Sequence, residues 1–210
     1  MFRNLGQGIL DLFYPHSCCA CGKKIPPGIF CAECYNRIEP LTVTAFPCLF
    51  SAVSYREPIV TAIHRFKYRG EFFLAPYLAE FLIELCRRHK LDERIDCVVP
   101  VPLHPTRFRE RNFNQSELLG REIAASFSLP VLTRALIRAR HTPSQTGLSG
   151  KERLANVSDA FQVRKPLAFK GRRCLLVDDV LTTGATLSAC RKRLLLAGAE
   201  EVYGLALARD

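Results

Sequence analysis

Apolar residues recur along the chain in two rhythms, and their order predicts a layered α/β protein. Residues 50–55 (FSAVSY) carry the β-branched and aromatic mix of a strand, and residues 59–66 and 74–88 space their apolar positions as amphipathic helices do. A short apolar run at 97–101 (CVVPV) lies between turn signals. A helical pattern covers 115–127, a β-branched strand is expected near Val131, and the chain closes strand, helix, strand at 174–177, 186–196 and 202–207. Strands alternating with helices argue for a mostly parallel sheet flanked by helices. Gly198 follows the last helix as its expected C-cap, with Arg191, Lys192 and Arg193 in the closing turns to complement the dipole.

Two stretches break the rhythm. Residues 138–159 (RARHTPSQTGLSGKERLANVSD) are polar, contain Pro143, Gly147 and Gly150, and show no sustained periodicity. So long a connection inside a compact domain is usually functional, and a lid that orders over a ligand is expected there. Upstream, Pro40 and Pro47 separate the α/β pattern from a cysteine-rich segment. The expected division is an N-terminal helix and cysteine module over 1–46 and an α/β domain over 47–210.

Composition narrows the setting. A chain of 210 residues has room for one ordinary α/β domain and a small module. The longest uncharged stretch, 40–55, is interrupted by Pro47 and falls short of the roughly 20 apolar residues that cross a bilayer, so no membrane span is expected. The N-terminal apolar stripe (Phe2, Leu5, Ile9, Leu12, Phe13) carries Asp11 and lacks a small-residue cleavage site, which argues for a cytoplasmic protein. The ten cysteines are then expected as reduced thiols or metal ligands. Net charge is +10, and residues 98–210, with eighteen basic and ten acidic side chains, carry +8 of it. Positive charge inside a folded domain suits phosphorylated small molecules or a nucleic-acid backbone, and equally a plain solvated surface.

Cys18, Cys21, Cys31 and Cys34 form two Cys-x-x-Cys pairs nine residues apart, whereas Cys48, Cys86, Cys97, Cys174 and Cys190 are scattered among apolar neighbours, as in core packing. Each pair offers two thiolates from one tight turn. Two such turns make a closed, all-sulfur tetrahedral site for zinc, with Cys19 competing for the first position. Gly22, in CCACGK, can take the positive φ that lets amides face the sulfurs. A closed site leaves no position for water, so the zinc is expected to be structural. Its binding energy, roughly 10 to 16 kcal/mol in zinc-finger peptides, offsets the small core of so short a module. A redox dithiol is the other reading of these pairs.

The most informative string is CLLVDDVLTTGATL, residues 174–187. It predicts a buried strand ending at Asp178 and Asp179, then a small-residue loop and a helix starting near Gly184. Ligands of open parallel sheets bind beyond the carboxyl ends of the strands. There, backbone amides and the hydroxyls of Thr182, Thr183 and Thr186 suit a phosphate, with Gly184 permitting close approach. Carboxylates suit hydroxyl donors and Mg²⁺ instead. A ribose 5-phosphate fits both halves. A Walker B strand also ends in acids, but G-x-x-x-x-G-K-[ST] is absent, and the nearest string, TGLSGKE, has the wrong spacing. A phosphate-relay receiver carries its acids after its first strand.

VDDVLTTGAT resembles the phosphoribosyl pyrophosphate (PRPP) motif of type I phosphoribosyltransferases at every position. With the four-cysteine module and VPVPLHPTRFRERNFNQ, the whole chain is similar to the ComF family of competence-associated proteins. The resemblance implies a type I phosphoribosyltransferase-like domain beside a zinc-ribbon-like module. In it Asp178 and Asp179 hold the ribose hydroxyls as the catalytic carboxylates, and Thr182, Thr183, Gly184, Ala185 and Thr186 hold the 5′-phosphate. Residues 100–105 approach the pyrophosphate, Arg107 and Arg111 supply counter-charge, Mg²⁺ accompanies the substrate, and Arg140, Lys151 and Arg153 reach the pyrophosphate from the lid. Most members have Gly where this chain has Asn112, which tolerates left-handed backbone better than other non-Gly residues. His104 and His141 are candidates for acid or base and equally for bystanders. Three functions stay open: a phosphoribosyltransferase of unknown acceptor, a non-catalytic PRPP or nucleotide sensor, and an interaction protein for incoming single-stranded DNA. For the last, basic residues interleave with Phe66, Tyr68, Phe108 and Phe113. The partners implied are PRPP or another phosphorylated ribose, single-stranded DNA, DNA-uptake proteins and a second copy of the chain.

Overall fold

The structure, a computed structural model, describes residues 17–41, 48–139 and 160–210. A one-turn helix, α1 (Ala32–Tyr35), belongs to the cysteine module. Then follow β1 (Leu49–Ser54), α2 (Ile59–Tyr68), α3 (Leu74–Arg88), β2 (Cys97–Pro100), α4 (Pro105–Arg111), α5 (Gln115–Phe127), β3 (Leu136–Arg138), β4 (Phe161–Val163), β5 (Arg173–Leu181), α6 (Ala185–Leu196) and β6 (Glu201–Arg209). Four strands pair in the order β1-β6-β5-β2, all parallel, and β3 with β4 makes a separate antiparallel hairpin. The mostly parallel sheet expected from the sequence is therefore present.

The central strands β5 and β6 are apolar at consecutive positions because both their faces are covered. Leu175, Val177, Tyr203, Leu205 and Leu207 face a core shared with Phe66 of α2, Leu78 and Leu82 of α3, and Leu119 and Ile123 of α5. Cys174, Leu176, Val202 and Ala206 face the opposite core, with Leu187, Cys190 and Leu194 of α6 and with Leu136 and Phe161 of the hairpin. At Gly204, β6 passes so close to β1 that a Cβ would overlap Leu49 Cδ2 and touch Leu187 Cδ1 at 3.4 Å.

Several expectations change. The strand near Val131 reduces to a single parallel bridge to Val98. Strand β5 does not end at the acidic pair but runs on to Leu181, paired with Arg209. Of the five scattered cysteines four are buried, while Cys48 is half-buried and has φ +63°. The cysteine module packs into the main core through Cys19, Ile29 and Ile38. Arg65 of α2 donates to the Cys19 carbonyl at 2.9 Å, and the Tyr35 and Phe81 rings stack at 6.1 Å. The N-terminal helix, the 46/47 boundary and residues 140–159 lie outside the described residues. Among those described, no helix is long and apolar enough to cross a membrane.

Candidate functional site

The crevice is created by strand lengths. Strand β2 pairs with β5 only as far as Pro100 opposite Val177 and then leaves toward α4, while β5 continues beside β6. Helix α5, which follows β2, covers one face of the sheet, and α6, which follows β5, covers the other. Adjacent strands whose helices depart to opposite faces open a ligand crevice at their carboxyl ends. Asp178 is the first β5 residue beyond the pairing with β2.

Within this crevice the two acids have different fates. Asp178 is partly exposed, and its Oδ1 accepts from Ser116 Oγ at 3.0 Å and from the Asp179 backbone N–H at 2.9 Å. Ser116 is placed by Asn114, whose Oδ1 accepts the Ser116 N–H at 3.1 Å as the N-cap of α5 and whose Nδ2 donates to the Val101 carbonyl at 3.0 Å. Burial, and next the neighbouring Asp179 carboxylate, push the Asp178 carboxyl up to about 7. Asp179, by contrast, is 5% exposed, and Lys67 Nζ of α2 stands 2.9 Å from its Oδ2, a charge contact without hydrogen-bond alignment. Of the expected carboxylate pair, Asp178 alone faces the crevice with free surface.

The threonine turn is open among the described residues. Thr182 and Thr183 are exposed, and Gly184, which has no side chain to offer, takes φ +74° as the N-cap of α6. Thr183 Oγ1 accepts from the Ala185 N–H at 3.4 Å, a long bond at the first amide of α6. Thr186 is half-buried in the first helical turn.

Arg107 and Arg111 stand on α4, which sequence periodicity does not reveal because the helix buries none of its residues. Asn112 ends α4 with φ +61° and donates its N–H to Phe108, the left-handed role expected of it. Arg111 lies over the Tyr68 ring at 4.9 Å. His104 accepts from the Thr106 N–H at 3.2 Å and so caps α4. Arg140, His141, Lys151 and Arg153 lie outside the described residues, but the roots of their segment are joined, Ala139 N–H donating to Ala160 at 2.7 Å.

Three residues of the site were not among those expected. Arg138, at the end of β3, is held below its usual pKa by burial and next by Arg107, with the Asp178 carboxylate acting in the opposite direction. That places Arg138, Arg107 and Asp178 in one neighbourhood. Ser116 gave no signal beyond its position after an N-cap. Lys67 did give one: Ile59, Ile63 and Lys67 are spaced i, i+4, i+8, so the lysine falls on the apolar stripe of α2 and requires a buried partner.

The sulfurs of Cys18, Cys21, Cys31 and Cys34 all lie within 4.8 Å of one another, with Cys21 and Cys31 at 3.7 Å. Tetrahedral zinc with Zn–S of about 2.3 Å needs sulfurs about 3.8 Å apart, so the cluster is compatible with a zinc site. Burial would raise the Cys18 thiol, but backbone N–H groups of Cys21, Cys31 and Ala20 outweigh it and bring it down to about 6. Cys19 does not compete, because it points into the main core, where burial pushes it up to about 12.

Fold and crevice together define a type I phosphoribosyltransferase-like domain, and the phosphoribosyl transferase domain family matches residues 114–209. Competence protein F of Haemophilus influenzae is 33% identical, over 97% of this chain and 94% of that protein. DNA utilization protein YhgH of Salmonella typhimurium is 31% identical, over 91% and 83%. The chain therefore belongs to the ComF family. Among solved structures, adenine phosphoribosyltransferase from Thermoanaerobacter pseudethanolicus is similar with a TM-score of 0.42 and 15% identity, over 68% of this chain and 84% of that one.

Proposed function

We propose that the protein binds Mg²⁺-PRPP in the β2/β5 crevice as a phosphoribosyltransferase and serves DNA uptake. The observation that carries this reading is the partly exposed Asp178 carboxylate a few residues before the exposed Thr182 and Thr183, at the switch point of a parallel sheet. Thr182, Thr183, Gly184, Ala185 and Thr186 wrap the 5′-phosphate. Asp178 accepts from a ribose hydroxyl, and Asp179 supports it from beneath while paired with Lys67. Arg107 and Arg111 supply counter-charge to the pyrophosphate, joined by Arg140, Lys151 and Arg153 of the lid.

In the transfer step the acceptor's lone pair forms a bond to the anomeric carbon as the C–O bond to pyrophosphate breaks, and that bond's electron pair leaves on the pyrophosphate. Mg²⁺ bound with the substrate would supply charge neutralisation to the leaving pyrophosphate. The Asp178 carboxylate, fixed by Ser116, stabilises the cationic sugar. Structural zinc on Cys18, Cys21, Cys31 and Cys34 holds the module of residues 1–46 beside the domain of 47–210. Relatives named for competence and for DNA utilization support a role in handling DNA, with single-stranded DNA and uptake proteins as the partners proposed and the cytoplasm as the compartment.

Calorimetric titration with PRPP and Mg²⁺, followed by an assay for released pyrophosphate on adding acceptor candidates, tests the reading. Binding that weakens at least about tenfold in Asp178→Asn is expected, the effect of losing one charge-assisted contact. Binding without release under any acceptor leaves a PRPP sensor. No binding to the folded, zinc-loaded chain overturns both.

A further inference from the structure

Two buried thiols outside both the crevice and the cysteine module stand against each other. Cys97 opens β2, Cys174 is the second residue of β5, and the two are register partners in the parallel pairing of these strands. Both side chains enter the core shared with α6 and the hairpin, and their sulfurs are 3.6 Å apart. Neighbouring strands run about 4.8 Å apart, inside the roughly 4.4 to 6.8 Å of Cα separation that a disulfide bridges. The register is pinned one residue earlier on each strand. Arg173 donates to the Asp96 carboxylate from its backbone N–H at 2.8 Å, from Nε at 3.2 Å and from Nη2 at 2.7 Å, and the Asp96 N–H donates to the Arg173 carbonyl at 2.8 Å.

The two sulfurs differ in chemistry. The Cys174 thiol beside it holds Cys97 below the usual thiol range against the effect of burial, and the Arg172 charge adds to this. Cys97 and burial together push Cys174 up. One member of the pair is therefore the thiolate former and the other stays a thiol, the division of labour of an attacking and a resolving cysteine. We infer that Cys97 and Cys174 are an oxidative modification site, at which a small peroxide converts the dithiol into a disulfide that staples β2 to β5. The Cys97 thiolate attacks one peroxide oxygen, the O–O bond breaks, and the other oxygen leaves as hydroxide and takes up the proton that Cys97 gave up. The Cys174 sulfur then attacks the sulfenic sulfur of Cys97, the S–O bond breaks, and that oxygen leaves as water with the Cys174 proton. Two thiols and one peroxide thus give one disulfide and two waters, the sulfurs oxidised and the peroxide oxygens reduced. Both cysteines are 0% exposed, so the oxidant must be small. Its entry is the start of the strands, where the Asp96 and Arg173 side chains keep 38% and 36% exposure. The staple ties down β2, an edge strand held to β5 by four register pairs, at the end opposite the crevice.

The site stands or falls independently of PRPP. In the test, the full reduced chain, supplied with zinc, is treated with hydrogen peroxide under native conditions, free thiols are blocked in denaturant, and peptide mapping by mass spectrometry reads each cysteine. A Cys97–Cys174 cross-link is expected, forming at least about tenfold faster than Cys86 is modified, since Cys86 is equally buried and burial pushes it up to about 12. Glutathione disulfide, too large to enter, is expected to leave both thiols free. In Cys174→Ala, dimedone is expected to trap a sulfenic acid on Cys97, whereas Cys97→Ala leaves Cys174 unmodified. Because the bond spans a separation of 77 residues, the cross-linked wild-type chain is expected to melt about 5 °C or more higher and to return on adding dithiothreitol. Free Cys97 and Cys174 after Cys86 has reacted, a cross-link that forms only in denaturant, or a lower melting point in the cross-linked chain would each overturn the proposal.

Discussion

At the scale of single residues, the site is built on a carboxylate held at a cost. Asp178 keeps its proton in the folded chain up to about 7, whereas in the unfolded chain it loses it near pH 4. The folded state therefore binds more protons between these values, and stability falls as pH rises from about 4 to about 7, then levels off. Asp178→Asn removes that penalty. Urea unfolding of the ligand-free chain is expected to show the variant more stable by about 1 to 3 kcal/mol at about pH 8, with a smaller gain at about pH 5. Equal stability at the higher pH would mean that the carboxylate carries no such burden. In the proposed transfer, ionised Asp178 is the form that would meet a cationic sugar, so any PRPP turnover is expected to rise with pH through about 7. The buried Asp179 carboxylate, by contrast, has Lys67 Nζ 2.9 Å from its Oδ2. Lys67→Met leaves a buried carboxylate alone and is expected to cost about 3 to 5 kcal/mol. The double variant Lys67→Met/Asp179→Asn should recover most of this in the same assay, and additive losses would show that the two do not interact.

At the scale of elements, the reading from sequence succeeded where one periodicity ran long enough to be counted. Helices α3 and α5 form over the residues expected, because their apolar stripes persist for several turns against the sheet. Helix α4 and the β3–β4 hairpin escaped notice, the one because it buries nothing and the other because three-residue strands flank a polar segment. The acidic pair was legible as a motif, but its division into one crevice carboxylate and one buried ion pair was not, since Lys67 lies far upstream and meets Asp179 only through the β1–α2 crossover. The ends of elements can be tested directly. Asn112 occupies left-handed backbone at the close of α4, so Asn112→Gly is expected to be nearly neutral and Asn112→Val to cost about 1 to 2 kcal/mol. In β6, Gly204→Val forces Leu49 and Leu187 apart in a fully packed layer and is expected to cost about 1 to 3 kcal/mol by chemical denaturation. A neutral result there would mean that the buried Leu49 side chain finds another rotamer without loss.

At the scale of the whole molecule, the question is whether the cysteine module is an appendage or a buttress. Its own interior is slight: Cys18, Cys31 and Cys34 pack against only partly buried Ala20, Ile25 and Phe30. Its other side, however, contributes Cys19, Ile29 and Ile38 to the same core as α2 and α3, and the backbone of Glu39 and Leu41 pairs with β1 through Ser54 and Ala52. Four thiolates confined within 4.8 Å would repel one another unless a cation sat among them, so loss of the proposed zinc would remove the reason for the module to stay folded. Apolar surface on α2 and α3 is then uncovered. Chelation is therefore expected to lower the thermal midpoint of the entire chain by more than about 5 °C in a single transition, corresponding to about 2 kcal/mol or more in a protein of this size. Calorimetry alongside far-ultraviolet circular dichroism distinguishes this from the alternative, in which the module melts alone and the sheet domain unfolds at its original temperature. Because protons compete with zinc for the thiolates, acidification should reproduce the effect of the chelator, lowering the midpoint of the whole chain in the same single transition.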